Sequence, residues 1–330
     1  MELGNKTIYN GNEEWLEACS TREKSSYKIR TSISFIDDVT NGGFVYDDFV
    51  LISADSGIGK TEYGCMLAEN FANNNKRVLY FGLELAKGEG LNRIAFRNLT
   101  KIIKDNEKKP IYMDYGIFKS KKLDHYILEY KNTFDESLKN IKKNISWRRK
   151  DPAFDLMTLK KELLENKDNF DVFIVDHLSM IYTDGENENK EVYNIIKEID
   201  YFCTEYEKPI ILIVHIRKDQ NTNKTYMPRL HDILGTKHIV NIPKRIIMLS
   251  RDYETKVDNG RYPTFCRMLK NRDDGKTNYT ARIIFNQNNS EYEQKYELLH
   301  DKGNGKEVVA IDSGEIPFWA KNAAGGNKWI

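Results

Sequence analysis

The chain has 330 residues, of which 40% are hydrophobic and 12% aromatic, so it can bury a substantial core and differs from a disordered polymer. Its 51 basic residues nearly balance its 50 acidic ones, which excludes a global electrostatic attraction to nucleic acid or to a membrane surface. No apolar run approaches the roughly 20 residues of a membrane span, and the four cysteines show no metal-ligand spacing. We therefore expect a reduced, soluble protein without a membrane partner, located in the cytoplasm, or in the host cytoplasm for a viral protein, with an organelle as the alternative.

Short apolar runs rich in β-branched residues alternate with helical segments along most of the chain. Residues 1–30 are polar and are predicted to form an N-terminal arm or linker with one short helix. The predicted strands are residues 49–53, 77–85, 171–181, 209–216 and 245–250. The predicted helices are Glu62–Asn73, Leu91–Lys104, Leu156–Asn166 and Val192–Glu207. This alternation predicts an α/β fold, a doubly wound and mainly parallel sheet flanked by helices.

Three regions interrupt the alternation. Residues 104–150 are rich in lysine and dotted with aromatics, and we predict helices packed beside the sheet. Residues 182–191 are predicted to be a polar loop, and residues 217–237 a longer, basic one of a kind that is usually functional or mobile. The domain is predicted to span residues 31–310. The tail, residues 311–330, has the composition of either a docking peptide or an ordinary disordered end.

A phosphate-binding loop follows the first predicted strand. Residues 54–61 read A-D-S-G-I-G-K-T, which fits the pattern GxxxxGK[ST] except that Ala54 replaces the first glycine. Glycines let backbone N–H groups turn toward phosphate oxygens, and the following helix adds the positive end of its dipole. In this pattern the lysine reaches the β- and γ-phosphates and the threonine hydroxyl holds Mg²⁺. The alternative is a glycine-rich turn that opens an ordinary helix. The predicted site for ATP, or another NTP or dNTP, comprises Ser56, Gly57, Ile58, Gly59, Lys60, Thr61 and Glu62.

Polar side chains follow three further predicted strands. Glu84 ends the run VLYFGLEL, Asp176 ends FIVD, and His215 ends ILIVH. In open α/β sheets the site lies at the carboxyl ends of the strands, where a carboxylate can hold Mg²⁺ or activate the attacking water. Each residue alone has an ordinary explanation as a turn former, a helix cap or a surface histidine. Their order along the chain favours a shared catalytic site.

Over about residues 31–290 the chain resembles the RecA-like ATPase domain of the DnaB family, the ring-shaped replicative helicases. The resemblance is carried by TSISFIDDVTNGGFVYDD before the first strand, and by VLYFGLEL, FDVFIVDHLSMI and PIILIVHIRK. It implies that Glu84 is the catalytic base, Asp176 a Mg²⁺ ligand and His215 the sensor of the γ-phosphate. A histidine followed by basic residues is more similar to the phage and mitochondrial helicases than to the bacterial enzyme, which has glutamine.

The resemblance continues through RIIMLSRD and RMLKNRDDGKTNYTARIIFN. It implies that Lys270 and Arg272 belong to an arginine-finger hairpin, which in this family reaches the nucleotide of the neighbouring subunit. Arg251 and Phe285 match positions that sandwich the base in phage relatives. The alternative for the two finger residues is a solvated basic turn, and for Phe285 it is plain core packing.

The chain departs from the family pattern at Ala54 and in residues 231–241, where bulkier and basic residues replace a run of small ones. In the family, residues 231–241 correspond to the second of the loops that contact DNA. The departure there means that the family's details of this loop do not carry over to this chain. The primase or helical domain that usually precedes this ATPase is also missing from the sequence. We therefore expect either a stripped-down helicase or one that recruits a separate primase.

These features together predict an NTP-hydrolysing helicase that moves along single-stranded DNA. The family implies a homo-hexamer, and a separate primase and polymerase are candidate partners. A DNA-binding ATPase of recombination and a nucleotide switch or loader remain the alternatives. The predicted phosphate contacts to DNA, for which a merely solvated loop is the alternative, are Arg217, Lys218, Lys224, Arg229 and Lys237.

Overall fold

The computed structural model describes residues 10–31, 33–54, 57–107, 112–149, 151–181, 188–215, 230, 233, 237–253, 255, 259–273, 275–301, 308–311 and 313–324. Within these ranges, no helix combines the length and the apolar character needed to cross a membrane.

Helices and strands alternate through the first two thirds of the chain, and antiparallel strands dominate the last third. The helices are α1 Gly11–Ser26, α2 Ser34–Val39, α3 Lys60–Asn73, α4 Glu89–Asn106, α5 Tyr115–Lys119, α6 Asp124–Glu129, α7 Lys131–Ser137, α8 Lys139–Asn144, α9 Leu156–Asn166, α10 Glu188–Tyr206 and α11 Lys237–Asn241. The strands are β1 Phe49–Ala54, β2 Val78–Gly82, β3 Ile145–Arg149, β4 Val172–Asp176, β5 Ile210–His215, β6 Arg245–Arg251, β7 Arg261–Asn271, β8 Tyr279–Asn286, β9 Glu291–Tyr292, β10 Tyr296–Asp301, β11 Val308–Ala310 and β12 Ala323–Ala324.

All of these strands belong to one sheet. Its order is β11-β10-β8-β7-β6-β1-β5-β4-β2-β3, with β9 beside β8 and β12 beside β10. The strands from β6 to β3 run parallel to one another, and β7, β8, β10 and β11 extend the sheet in antiparallel fashion. The predicted doubly wound, mainly parallel sheet is therefore confirmed.

The central strand β1 explains why a parallel sheet forms here. All six of its residues are buried, and successive side chains enter opposite layers of the core. Val50 and Ile52 pack with α3 and α4 on one face, whereas Phe49 and Leu51 pack with α9 and α10 on the other. A strand covered on both faces needs apolar residues at every position, which is the continuous run that the sequence contains.

Residues 104–150 were predicted to be helical, and this prediction is wrong for their last part. Helices α5 to α8 occupy residues 115–144, but Ile145–Arg149 form β3, which pairs in parallel with β2 at the sheet edge. Trp147 of this strand stacks on Tyr80 with ring centroids 4.8 Å apart. It also packs so closely on Gly90 that a Cβ there would lie 2.2 Å from the indole. The strand exists because of these long-range contacts.

The two ends of the chain differ in how they meet the sheet. Helix α1 begins with a capping box between Asn10 and Glu13, has no buried residue, and forms an ion pair from Lys24 to Glu207. Near the other end, Trp319 is buried against Tyr279. The backbone N–H of Asn322 donates to Asp38, 3.0 Å away. The part of the tail that the structure describes therefore packs on the domain.

Candidate active site

The register of the parallel strands brings the predicted catalytic residues to one edge of the sheet. Ala54 at the end of β1 lies beside His215 at the end of β5. On the next strands, Asp176 pairs with Ile213 and with Gly82, two residues before Glu84. The loop that follows β1 and the side chains that follow β5, β4 and β2 therefore surround one space.

The loop between β1 and α3 has the backbone of a phosphate cradle. Gly57 and Gly59 have φ angles of 82° and 93°, in the left-handed region that favours glycine. A Cβ added to Gly57 would meet no atom of the described residues within 4 Å, so these residues leave the cradle open at this point. The ammonium of Lys60 is buried and donates to the carbonyl of Ala54, 3.2 Å away. Ser56 lies outside the described residues.

Ala54 can replace the first glycine of the motif because it lies in regular strand. It pairs with His215 on one side and with Leu249 on the other, and its backbone φ angle is negative. Its backbone carbonyl, rather than its side chain, contacts Lys60. A methyl group at this position therefore does not obstruct the cradle, and the departure from the motif has no cost in backbone strain.

Asp176 is fully buried at the end of β4, and its two carboxylate oxygens differ. Oδ2 accepts a hydrogen bond of 2.8 Å from the hydroxyl of Tyr80, while Oδ1 has no partner among the described residues. Burial raises the pKa of Asp176, and the hydrogen bond from Tyr80, the interaction with His177 and the nearby Thr61 hydroxyl oppose the rise. A buried oxygen without a partner beside a threonine hydroxyl fits a Mg²⁺ ion with its water ligands.

His177 connects the predicted base with the predicted sensor. Its Nε2 lies 2.7 Å from Oε1 of Glu84 and 2.8 Å from Nε2 of His215, and its Nδ1 lies 2.8 Å from Oγ of Ser179. Its side chain is 2% exposed, whereas that of Glu84 is 43% exposed. His177 and Ser179 were not among the site residues predicted from the sequence. The signal was available, since His177 directly follows Asp176 and Ser179 lies two residues further, at the rim of the sheet that carries the site.

The imidazole of His215 is neutral at physiological pH. Burial lowers its pKa to about 4, and the nearby ammonium of Lys60 and the ring of His177 act in the same direction. A neutral imidazole has one N–H donor and one acceptor nitrogen. His215 can therefore accept or donate a single directed hydrogen bond at the point between Lys60 and His177.

Glu62 was predicted as a nucleotide contact, but its carboxylate faces away from the cradle. It is buried and forms ion pairs with Arg93, 2.7 Å away, and with Arg97. Both arginines belong to α4, so the side chain joins α3 to α4. In the first turn of α3 the backbone N–H of Glu62 has no intrahelical partner and is the group this residue can offer to a phosphate.

Arg251 and Phe285 lie near the loop, at the adjacent rim of the sheet. The guanidinium of Arg251 stacks over Tyr262, 4.3 Å from the ring centroid, and its buried Nη1 has no partner within the described chain. Phe285 pairs in register with Tyr262. Its Cζ would lie 3.9 Å from a Cβ placed on Gly59. Phe285 is also packed on Tyr292, so its surroundings agree with a contact to the base of a nucleotide and also with plain core packing.

Lys270 and Arg272 lie near the amino ends of the parallel strands, opposite to the ends that carry the cradle. Asn271 pairs with Arg245, which lies beside Val50 near the start of β1, whereas the cradle follows the end of that strand. At about 3.3 Å per residue, the two ends of β1 are roughly 16 Å apart. Both side chains donate to the last carbonyls of α11, Lys270 to Val240 at 2.9 Å and Arg272 to Asn241. Burial and the charge of Arg272 lower the pKa of Lys270 to about 8.

The predicted DNA contacts are not tested by this structure. Arg217, Lys218, Lys224 and Arg229 lie outside the described residues. Lys237 is the first residue of α11, and its side chain is outside the described part.

The sheet order and the strand–loop–helix unit around Lys60 place the fold in the RecA-like class. The chain belongs to the DnaB-like helicase C-terminal domain family, whose model matches residues 28–294. Comparison with curated proteins found no match to the chain.

Two solved structures resemble the chain over most of its length. The first is an ATPase domain with a TM-score of 0.67 and 17% sequence identity, and the match covers 86% of this chain and 99% of that one. The second, a DnaB-like replicative helicase solved in a study of its interactions with primase, has a TM-score of 0.69 and 16% identity. That match covers 86% of this chain and 68% of the other. At these identities the structures support the fold alone.

Proposed function

We propose that this chain is the motor of a replicative DNA helicase, which hydrolyses ATP or another NTP and moves along single-stranded DNA as a ring. The observation that carries the proposal is the convergence of four strand ends on one space. There the cradle at Lys60, the free oxygen of Asp176, the carboxylate of Glu84 and the neutral imidazole of His215 lie side by side.

Each of these groups has a separate task in the proposed reaction. The backbone N–H groups of the cradle and the Lys60 ammonium bind the phosphates. Thr61 and Asp176 hold Mg²⁺, which when bound neutralises part of the phosphate charge. Glu84 accepts the proton of the attacking water, and the hydrogen bond from His177 fixes the position of its carboxylate. His215 is placed to form a directed hydrogen bond with the terminal phosphate.

Hydrolysis is proposed to need two subunits. Lys270 and Arg272 lie beyond reach of their own cradle, because the length of β1 separates them from it. A neighbouring subunit of a hexamer would receive them as its arginine finger. Such a residue supplied in trans typically accelerates hydrolysis by about 10³–10⁵-fold. In this proposal Arg272 leaves the carbonyl of Asn241, to which it donates in the single chain.

The proposal also assigns the base and DNA contacts. Arg251 and Phe285 would hold the base of the nucleotide, since the buried Nη1 of Arg251 has no hydrogen-bond partner among the described residues and Phe285 adjoins Gly59. Arg217, Lys218, Lys224, Arg229 and Lys237 would contact DNA phosphates, in the segment that leaves the site after His215. A separate primase and a polymerase are the proposed partners.

Strand displacement on a forked duplex tests the proposal. The wild-type chain should separate the strands only with NTP and Mg²⁺, and mass measurement should find a six-subunit assembly. Lys60→Ala should remove both hydrolysis and strand separation while leaving the fold intact, because its ammonium contacts phosphates. Hydrolysis without strand separation, stimulated by single-stranded DNA, would favour a DNA-binding ATPase of another kind.

A further inference from the structure

Three metal-binding side chains meet beside the cradle and form a cluster separate from the Mg²⁺ ligands. One ligand atom each of Glu84, His177 and His215 lies within 4.8 Å of the other two. His177 is central, with its Nε2 at 2.7 Å from Oε1 of Glu84 and at 2.8 Å from Nε2 of His215. A hydrogen atom on His177 Nε2 now serves both neighbours, and a metal ion there would be bound by all three groups.

We propose that Glu84, His177 and His215 form a binding site for Zn²⁺, and that Zn²⁺ bound there arrests NTP hydrolysis. The binding stands on the geometry of the three side chains. The arrest rests on the proposed function, because it requires Glu84 to be the base and His215 the sensor of the phosphate.

The ligand chemistry selects a transition metal over Mg²⁺. Two imidazole nitrogens and one carboxylate are a ligand set that Zn²⁺ uses in open, catalytic-type sites, with water or substrate in the fourth position. Mg²⁺ and Ca²⁺ prefer oxygen ligands and would gain little from two histidines. The Mg²⁺ site proposed at Thr61 and Asp176 offers only oxygen atoms, so the two sites discriminate between the two ions.

The cluster needs only a small opening to admit the ion. Zn²⁺ bonds of about 2.0–2.2 Å in a tetrahedral arrangement separate the ligand atoms by roughly 3.3 Å. The two short contacts of His177 must therefore lengthen by about 0.5 Å each. Glu84 is the side chain that can give way, since 43% of it is exposed and it follows β2 in a turn.

The surroundings orient the central ligand and balance the charge. Oγ of Ser179 lies 2.8 Å from Nδ1 of His177, an outer contact of the kind that fixes a metal-binding imidazole with its Nε2 toward the ion. Glu84 and Asp176 are two carboxylates at this rim of the sheet, and Lys60 is a cation near His215. An additional dication is therefore opposed by one positive group and favoured by two negative ones.

Occupancy would remove both catalytic functions at once. A Glu84 oxygen bound to Zn²⁺ is a much weaker proton acceptor, and a His215 imidazole held by the ion cannot turn toward a phosphate. Because the ligands lie beside Lys60 and not on it, nucleotide binding should persist while hydrolysis stops. Zn²⁺ would thus act as an inhibitor that lowers turnover and leaves nucleotide affinity nearly unchanged.

Cobalt substitution tests the binding without relying on activity. Co²⁺ is added to the nucleotide-free, full-length chain without Mg²⁺, and visible absorption is recorded. We expect the intense bands of a four- or five-coordinate ion at one equivalent, with displacement by Zn²⁺. His177→Asn and His215→Asn should each weaken binding at least tenfold, and circular dichroism checks that they fold. His125→Ala, at an exposed histidine of α6, is the matched control and should bind Co²⁺ like the wild type.

Two further results separate the site from the proposed function. Lys60→Ala should bind Co²⁺ although it cannot hydrolyse NTP. In the wild type and His125→Ala, Zn²⁺ should inhibit Mg²⁺-dependent hydrolysis at least tenfold, reversibly with a Zn²⁺ chelator. If the wild type bound Co²⁺ but had no NTPase activity, the proposed function would be wrong and the proposed metal site would stand. The proposed site would be overturned if the absorption bands were absent. It would also be overturned if both histidine variants remained folded and bound Co²⁺ as tightly as the wild type.

Discussion

Tyr80 determines which oxygen of Asp176 is available to a metal. Its ring is fully buried between β2 and α3, and its hydroxyl donates to Oδ2 of Asp176 over 2.8 Å. Gly64 of α3 makes room for it, because a Cβ at that position would lie 2.5 Å from the hydroxyl oxygen. Tyr80 thereby fixes Oδ2 of Asp176 and leaves Oδ1 for an ion. This arrangement could not be predicted from the short apolar sequence of the strand.

Tyr80→Phe should weaken Mg²⁺ binding and also lower the stability of the fold. The change leaves Oδ2 without its buried donor, so we expect a loss of about 1–3 kcal/mol in unfolding free energy. The carboxylate also loses its orientation, so half-maximal hydrolysis should need several-fold more Mg²⁺. A magnesium titration of hydrolysis, with denaturant unfolding, measures both effects.

Tyr292→Phe is the matched control for this change. Tyr292 is equally buried, but its hydroxyl has no hydrogen-bond partner within the described chain. Its removal should therefore be nearly neutral in stability and leave the Mg²⁺ requirement unchanged. If both variants showed the same Mg²⁺ dependence, Tyr80 would have no role in orienting Asp176.

Glu84→Gln separates proton acceptance from nucleotide binding. The amide keeps the shape of the side chain but cannot accept the proton of water, so hydrolysis should fall by about 10²–10⁴-fold. Binding of Mg·NTP should stay close to wild type, since Lys60 and the cradle are untouched. Fluorescent-nucleotide binding and single-turnover hydrolysis measure the two quantities. A variant that binds as poorly as Lys60→Ala would make Glu84 a structural residue.

At the scale of elements, buried ion pairs join α3 to α4. Arg97 is 1% exposed and binds Glu62 and Glu69 of α3, while its Nε donates to the carbonyl of Ser290, 2.9 Å away. Because Glu62 directly follows Thr61, the network ties the helix of the cradle to α4 and to the turn after β8. It stabilises the element that positions the phosphate contacts.

Arg97→Met should destabilise the fold by about 3–5 kcal/mol, because it leaves the buried carboxylate of Glu69 without its cation and that of Glu62 with Arg93 alone. Arg77→Met is the comparison, since Arg77 pairs with Asp171 at a side chain that is 48% exposed. That exposed pair should contribute at most about 1 kcal/mol. Denaturant unfolding of both variants measures the difference. Equal losses would mean that the buried network adds no stability to α3 and α4.

The sequence predicted those helices and strands whose own residues are sufficient to specify them. The runs of β1, β2, β4, β5 and β6 are apolar over most of their length because both faces of each are covered, and their alternation with helices predicted the sheet. The strand β3 was not predictable in this way, because ISWRR has two arginines and only its pairing with β2 makes it a strand. The partners of Glu62 and the role of His177 depend likewise on contacts between distant segments.

At the scale of the whole molecule, the two sets of predicted catalytic groups lie at opposite edges of one sheet. The cradle, Asp176, His215 and Glu84 follow the carboxyl ends of the parallel strands, whereas Arg272 lies by the amino end of β6. Its hairpin is held there by Arg245, which is fully buried and bonds Asp48 at 2.8 Å and Asp273 at 2.6 Å. A rigid attachment of this kind suits a group that is presented to another subunit.

Mixing two inactive variants measures whether the catalytic unit is a pair of subunits. Arg272→Ala retains an intact cradle, and Lys60→Ala retains an intact finger. A mixed assembly therefore contains some interfaces that have both parts. Arg77→Ala, at an exposed arginine near the same edge of the sheet, is the control and should hydrolyse NTP by itself. The two variants are co-assembled at several ratios, and mixed assemblies are verified by mass. We predict NTP hydrolysis in the mixtures although each variant alone has none. No recovery at any ratio would contradict the proposal that Arg272 acts on the nucleotide of its neighbour.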